Sequence, residues 1–411
     1  MLQEGIYFDK GQTPGRCFAI AFLRAQQGAT AEQVGLLMGQ IWETCQDLKQ
    51  GKVSDLPDVE VPASGLTVLL GYGPKAFALP GAQRPLPEGL QPRFQFRSPL
   101  QGGGNPILIG TRLNYLQGLQ RNLATEEIAL QFIGDTPLAV SRAIVEIWKV
   151  LQDNVNPALG EAVLSISGSF MGFNREDHRS WIDFHDGISN LPSGDPRRQV
   201  LEIKPETAGN DTWTIGGTYL AFLRLPVDLQ TWRSLPRLEQ ELLVGRDKLT
   251  GCALTQLDLQ GQSTPVSGCP FTGTRSVIEP GNESFREAPQ AVAPTVQKSH
   301  IQRVNQVKDG NLSNPSSFRI FRQGYEFMDG IEGGELRLGL NFVSFQDSPR
   351  RIMGILSQRS WMQEVNFGGD ASTVPPGAPE LLRVQAAGIY LVPPVIATEQ
   401  FPGQNILMPL A

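Results

Sequence analysis

Two stretches of this chain, 212 residues apart, repeat one pattern: an apolar strand runs into Asp-[Thr/Ser]-Pro, and the helix that follows meets a tryptophan. Ile128 to Ile133 leads into Asp135-Thr136-Pro137 and a helix with Ala143, Ile144, Ile147 and Leu151 on its apolar face and Trp148 among them. Leu336 to Phe345 leads into Asp347-Ser348-Pro349 and a helix reaching Trp361. Asp or Thr can cap the free N–H groups of a first turn, and Pro fits there because that turn does not need its missing N–H. A repeat this long is not a solenoid. It fits two copies of one α+β unit, each a sheet with helices on one face.

The rest of each unit is legible in part. Cys17 to Leu23 reads as a strand, and Thr30-Ala-Glu-Gln33 is a capping box. Val34, Leu37, Met38, Ile41, Cys45 and Leu48 then recur at helical spacing, with Gly51 as a stop. Leu66 to Leu70 completes a strand-helix-strand unit, and Val163 to Ser167 alternates as a half-buried strand does. In the second half Tyr219 to Leu225 is a strand. With 411 residues there is chain enough for both copies. The polar, Gly/Pro-rich stretch near 190–212 places a boundary that gives domains 1–200 and 201–411. Asp247 to Gln297 and Glu364 to Glu380 lack periodicity, and loops of such length are usually functional or disordered. The first leads straight to His300.

Several classes are excluded or disfavoured. The longest apolar runs, such as Cys17 to Leu23, fall short of the roughly 18 to 20 residues a membrane-spanning helix needs. The first residues show neither a basic leader nor an apolar segment with a cleavage site, so the expected location is cytoplasmic. A net charge of -6 without a dense Lys/Arg block disfavours nucleic acid. Cys17, Cys45, Cys252 and Cys269 form no Cys-x-x-Cys pair, so neither a zinc ribbon nor a thioredoxin-like site is indicated.

The chemistry-bearing candidates are few. The only histidines are His178, His185 and His300. A three-His zinc site would need them all, whereas a haem iron needs a single axial ligand because the porphyrin supplies the other nitrogens. Trp181-Ile-Asp-Phe-His-Asp-Gly-Ile-Ser-Asn190 sets Asp186 before Gly187, a turn signal. Phe318-Arg-Ile-Phe-Arg-Gln-Gly-Tyr325 carries Arg322, 22 residues beyond His300. Taken singly, His300 reads as a polar-loop histidine, Arg322 as a solvated strand-edge arginine and Asp186 as a hairpin turn.

Taken together, these segments resemble the dye-decolorizing peroxidase family. Lys298-Ser-His-Ile-Gln-Arg303 followed by Arg322-Gln-Gly324 matches the order of its proximal histidine and distal arginine. Residues 183–187 resemble its Gly-x-x-Asp-Gly motif, with Phe184, Asp186, Gly187, Ile188, Ser189 and Asn190 in agreement; Asp183 stands where the first Gly is usual and Leu191 where Pro is. Leu340-Asn-Phe-Val-Ser-Phe-Gln346 resembles the strand whose Leu and Phe cover the distal side, and Gly245-Arg246…Gly251 resembles a glycine-bracketed basic segment. The resemblance runs along the whole chain and is strongest from residue 181 to 361.

The resemblance implies two duplicated ferredoxin-like domains, α+β, with antiparallel sheets facing each other and helices outside. It further implies one non-covalent haem b per chain. His300 would be the iron ligand, Asp186 the acid-base residue and Arg322 the charge stabiliser, with Leu340, Phe342 and Asn190 also lining the cofactor site. Hydrogen peroxide would oxidise phenolic or dye-like donors. A homo-oligomer is left open. His185 is expected at the pocket rim or near a propionate, His178 at the surface, and the carboxylate behind His300 could be Glu364, Asp370 or Asp329. The alternative is a haem-binding or haem-delivery protein with little turnover, which would need His300 but not an Asp186–Arg322 pair. A binding module that has lost the cofactor is a third reading.

Overall fold

A computed structural model describes residues 1–9, 11–94, 120–156, 160–188, 190–257, 263–265, 294–304, 319–356, 366–367 and 380–409. In the N-terminal half, strand β1 (Cys17–Ala25) leads through Thr30 into helix α1 (Ala31–Lys49), then β2 (Thr67–Tyr72), β3 (Ile128–Gly134), α2 (Pro137–Asp153) and β4 (Leu164–Phe173). Both expected helix starts are present. Thr30 and Gln33 form the capping box, and Thr136 accepts the Ala139 N–H with Pro137 in the first turn. The four strands lie side by side in the order β4-β1-β3-β2, all antiparallel. That is a ferredoxin-like sheet.

The C-terminal half repeats it. Strand β5 (Thr218–Pro226) is followed by α4 (Leu229–Ser234) and α5 (Arg237–Val244), and later by the short helix α6 (His300–Val304) and strand β6 (Phe321–Arg322). Strands β7 (Tyr325–Glu332) and β8 (Glu335–Gln346) form a hairpin, and α7 (Arg350–Leu356) precedes β9 (Ala386–Val392). The order is β7-β8-β5-β9, again antiparallel. Strand β7 was not anticipated, because Glu326, Asp329 and Glu332 break its apolar run. The stretch expected as a linker also holds a helix, α3 (Asp195–Leu201), whose Val200 and Leu201 enter the core. The end of the expected helix at Trp361 lies outside the described residues.

The two sheets face each other and join at both edges. Glu326 pairs with Phe173, linking β7 to β4, and Leu391 pairs with Tyr72, linking β9 to β2. The inner faces share one core containing Phe18, Phe22, Phe222, Phe345 and Tyr390. Phe22 and Phe222, from opposite sheets, have ring centroids 5.5 Å apart, and Phe170 stacks on Phe222 at 5.5 Å. Alternation then sends Ala19, Ala21 and Leu23 outward, under α1 and α2. On the other sheet Leu223, Leu225, Leu340 and Phe342 point outward, and there the covering elements leave a cavity. No described helix is long and apolar enough to cross a membrane.

Phe222 is fully buried and touches both sheets. Phe222→Ala should therefore cost about 3–5 kcal/mol, the range for emptying an aromatic site in a core. Urea unfolding followed by circular dichroism measures it, and a loss under 1 kcal/mol would show that the sheets do not depend on this contact.

Candidate functional site

The cavity lies between the outer face of β5 and β8 and helices α5, α6 and α7, with the Asp186 loop as one wall. It encloses about 1520 Å³ of space between atoms, its mouth included. Leu223, Leu225, Leu340, Phe342, Ile352 and Ile355 make much of the lining apolar. His300, Asp186 and Arg322 all face it, so three residues that are far apart in sequence share one space.

The loop that carries Asp186 is a tight turn built from its own backbone. The Ser180 N–H donates to the Phe184 carbonyl at 2.9 Å and the Asp186 N–H to the His178 carbonyl at 3.0 Å. Such a turn needs left-handed backbone, and Asp183 supplies it with φ 66° at the position where the family motif has glycine. Asp is among the residues that tolerate this region, so the departure from the motif leaves the turn intact. Gly187 follows with φ 80°. Phe184 anchors the loop edge-on against Trp232, with centroids 6.1 Å apart, and Trp181 Nε1 donates to the Phe327 carbonyl at 3.1 Å.

Arg322 is held to this loop at its backbone as well as its side chain. Asn190 Nδ2 donates to the Arg322 carbonyl at 2.8 Å, while Asn190 Oδ1 accepts the Arg322 N–H at 3.1 Å. Asn190 is not among the residues lining the cavity; its amide fixes the position of Arg322. Arg197 adds a second tie that the sequence did not signal. It donates to the Leu191 carbonyl and lays its guanidinium over the Phe321 ring, 4.2 Å from the centroid.

Arg322 Nη1 then donates to Asp186 Oδ1 at 3.0 Å, and the Gly187 N–H donates to the same oxygen at 2.7 Å. Burial works against the Asp186 charge, but Arg322 and the Gly187 amide outweigh it and hold the carboxyl below its ordinary value. His300 moves strongly the other way. Burial, reinforced by Arg322 and Arg246 and opposed by Asp186, pushes its imidazole down to about 3, so at neutral pH the ring is uncharged. Burial, then the neighbouring Arg322, also lowers Arg246 to about 10.

The other candidates separate cleanly. His185 lines the cavity, and its Nε2 lies 2.8 Å from Arg179 Nη2. His178 is exposed, as expected. Asp329 pairs with Arg224 and is not among the cavity-lining residues. Glu364, Asp370 and Ser189 lie outside the described residues. Sequence reasoning missed Arg319 and Glu326, which both line the cavity. Among the described residues no group of three or more His, Cys, Asp or Glu could hold a metal ion.

Comparison with known proteins adds a family likeness for the segment that carries the site. Residues 177–373, which carry every one of these site residues, match the family described as Dyp-type peroxidase, C-terminal. The C-terminal half of the chain is similar to that family. The chain's fold is that of a DyP-type peroxidase from Cellulomonas bogoriensis, with a TM-score of 0.66 at 19% identity over 98% of this chain and 96% of that one. Ferric DtpA from Streptomyces lividans gives 0.66 at 19% identity, covering 98% and 97%. Among curated relatives, the deferrochelatase of Shigella flexneri serotype 5b (strain 8401) is 25% identical over 235 residues, 52% of this chain and 48% of the relative. The deferrochelatase of Escherichia coli (strain K12) is 23% identical over 236 residues, 56% and 48%. The chain spans about half the length of the curated relatives it matches.

Removing the guanidinium tests the electrostatics directly. In Arg322→Leu the burial effect on Asp186 stands with less opposition, so its carboxyl should titrate above the ordinary aspartate value instead of below it. Carbon-13 NMR titration of the aspartate carboxyls reads this. An Asp186 that stays low in the variant would show that the Gly187 amide, not Arg322, holds the charge.

Proposed function

We propose that the chain is a haem peroxidase, binding one non-covalent haem b with His300 as the iron ligand and using hydrogen peroxide to oxidise phenolic or dye-like donors. The observation that carries this reading is the cavity's donor set. A neutral imidazole and an ionised Asp186–Arg322 pair face one largely apolar space. Arg246, Arg319 and Arg322 line the cavity, guanidinium groups of the kind that bind carboxylates such as the propionates of haem b. Leu340 and Phe342 supply the flat apolar wall a porphyrin needs. Among structures of similar fold, a variant of Rhodococcus jostii RHA1 DypB, 14% identical with a TM-score of 0.60, is described as in complex with heme.

Haem, when bound, supplies the redox-active iron at which peroxide is reduced. The residues do the rest. Asp186, kept ionised, accepts a proton from one peroxide oxygen and returns it to the other, so that water departs in place of hydroxide. A positioned acid-base group contributes on the order of 10²- to 10⁴-fold. Arg322 holds Asp186 in place and faces the charge that grows on the departing oxygen. The apolar walls keep water from competing.

A second reading, a haem-handling protein with little turnover, is favoured by the name deferrochelatase that the curated relatives carry. Against it stands the cost of building a carboxylate–guanidinium pair into an apolar cavity for no acid-base task.

Visible absorption of the haemin-loaded protein, before and after one equivalent of peroxide, separates these readings. A Soret band that changes quickly supports the peroxidase. A band indifferent to peroxide supports the carrier, and no band overturns both. His300→Ala should lose haem uptake while keeping its circular dichroism; full haem content would overturn the ligand assignment. Asp186→Asn should keep haem and slow the peroxide reaction by about 10²-fold or more.

A further inference from the structure

The cavity holds a second carboxyl group for which the scheme above has no use. Glu326 sits on β7 opposite Leu340 of β8, so its side chain leaves the sheet on the cavity side. It is only 8% exposed. Its neighbours give it little reason to ionise. Across the strand lies apolar Leu340, and Asp186, on the loop wall, adds a like charge. The charged groups from the segment after β4 are Arg175 and Asp177, and Arg175 is already committed to Asp177. Among the described residues no cation forms an ion pair with Glu326. Burial, then the Asp186 charge, opposed by Arg175 and the Trp181 main-chain amide, pushes its carboxyl up to about 8. One wall of the cavity thus carries an ionised carboxylate and a neutral carboxylic acid, the divergence of environments that separates base from acid in paired sites.

The overall reaction needs such an acid. While peroxide is being split, Asp186 returns the proton it takes and ends unchanged. Carrying hydrogen peroxide on to two waters with electrons from a donor consumes two further protons. A donor too bulky for the cavity releases its protons outside, so the cavity must be resupplied from within the protein.

We propose that Glu326 is a positioning residue for Asp186: its carboxyl group holds the proton that recharges Asp186 in the donor-oxidising half of turnover. This rests on the peroxidase reading. In the transfer the Glu326 O–H bond breaks, the proton passes through water in the cavity to a carboxylate oxygen of Asp186, and Asp186 at once hands it to the oxygen being reduced to water, returning to its ionised form. The negative charge passes to Glu326, and solvent then returns a proton to it. No electron moves in this step. The acid form persists below about 8 and is lost as pH rises through that value, so donor oxidation should weaken over that window.

The test uses Glu326→Gln, which keeps the shape and removes the transferable proton. In the protein without haem, infrared difference spectroscopy at neutral pH should show a protonated-carboxyl band that is missing from Glu326→Gln and fades as pH rises past 8. An ionised Glu326 at neutral pH overturns the proposal. In the haem-loaded protein, stopped-flow should show an unchanged first reaction with peroxide. Donor oxidation should be slower by up to about 10²-fold, the low end for an acid-base group, with the alkaline break near pH 8 abolished. A merely structural Glu326 would slow both phases or neither, and either result overturns the proposal. If wild type takes up no haem, the peroxidase reading falls and this one with it. If wild type binds haem and reacts with peroxide while Glu326→Gln matches it in both phases, only the Glu326 proposal falls.

Discussion

Everything in this molecule follows from two sheets pressing their inner faces together. Phe22, Phe170, Phe222 and Tyr390 fill the gap with rings in edge and stacked contact, and such pairs add to the area they bury. Once the inner faces are used, each sheet has only its outer face to offer. The N-terminal sheet covers its outer face with α1 and α2, two helices of 19 and 17 residues. Among the described residues the C-terminal sheet has no helix of that length after β5; α4 and α5 have 6 and 8 residues. There the cavity lies between the sheet and its covering elements.

Within that space, charge follows from how each side chain is held. Asp186 and Glu326 are both carboxyl groups under apolar walls, and burial disfavours the charge on each. Asp186 is rescued by Arg322 and a main-chain amide, while Arg175, whose charge acts on Glu326, is paired with Asp177. Backbone construction therefore decides ionisation. The Asn190 amide pairs with both backbone groups of Arg322, which fixes the strand position from which the guanidinium reaches Asp186.

The sequence revealed the frame well because caps and periodicity are local signals. Thr30, Thr136 and Pro137 do what their types dictate, and the repeat of Asp135 and Asp347 exposed the duplication. The motif segments were legible as a set, which brought His300, Asp186, Arg322, Leu340 and Phe342 to one cavity. Other residues were not legible for physical reasons. Glu326 belongs to a strand whose acidic residues hide its apolar face, and its role depends on Leu340, fourteen residues away across a hairpin. Arg197 acts through the Leu191 carbonyl and the Phe321 ring, contacts that only the folded chain creates. Asn190 looked like a cofactor contact because it travels with Asp186, but its partner is backbone.

The two seams that close the barrel are thin. Where β4 meets β7 the strands pair through Glu326 and Phe173, against ladders of six or more pairs within each sheet such as β2 with β3 and β1 with β3. The closed ring is therefore two stiff plates with a soft hinge line. Backbone openings of low free energy should concentrate there before either plate loosens. Because Glu326 itself forms that seam, the place where the barrel breathes most readily is also a wall of the cavity, and a small parting of the plates would admit water beside the buried acid without disturbing the aromatic layer behind it.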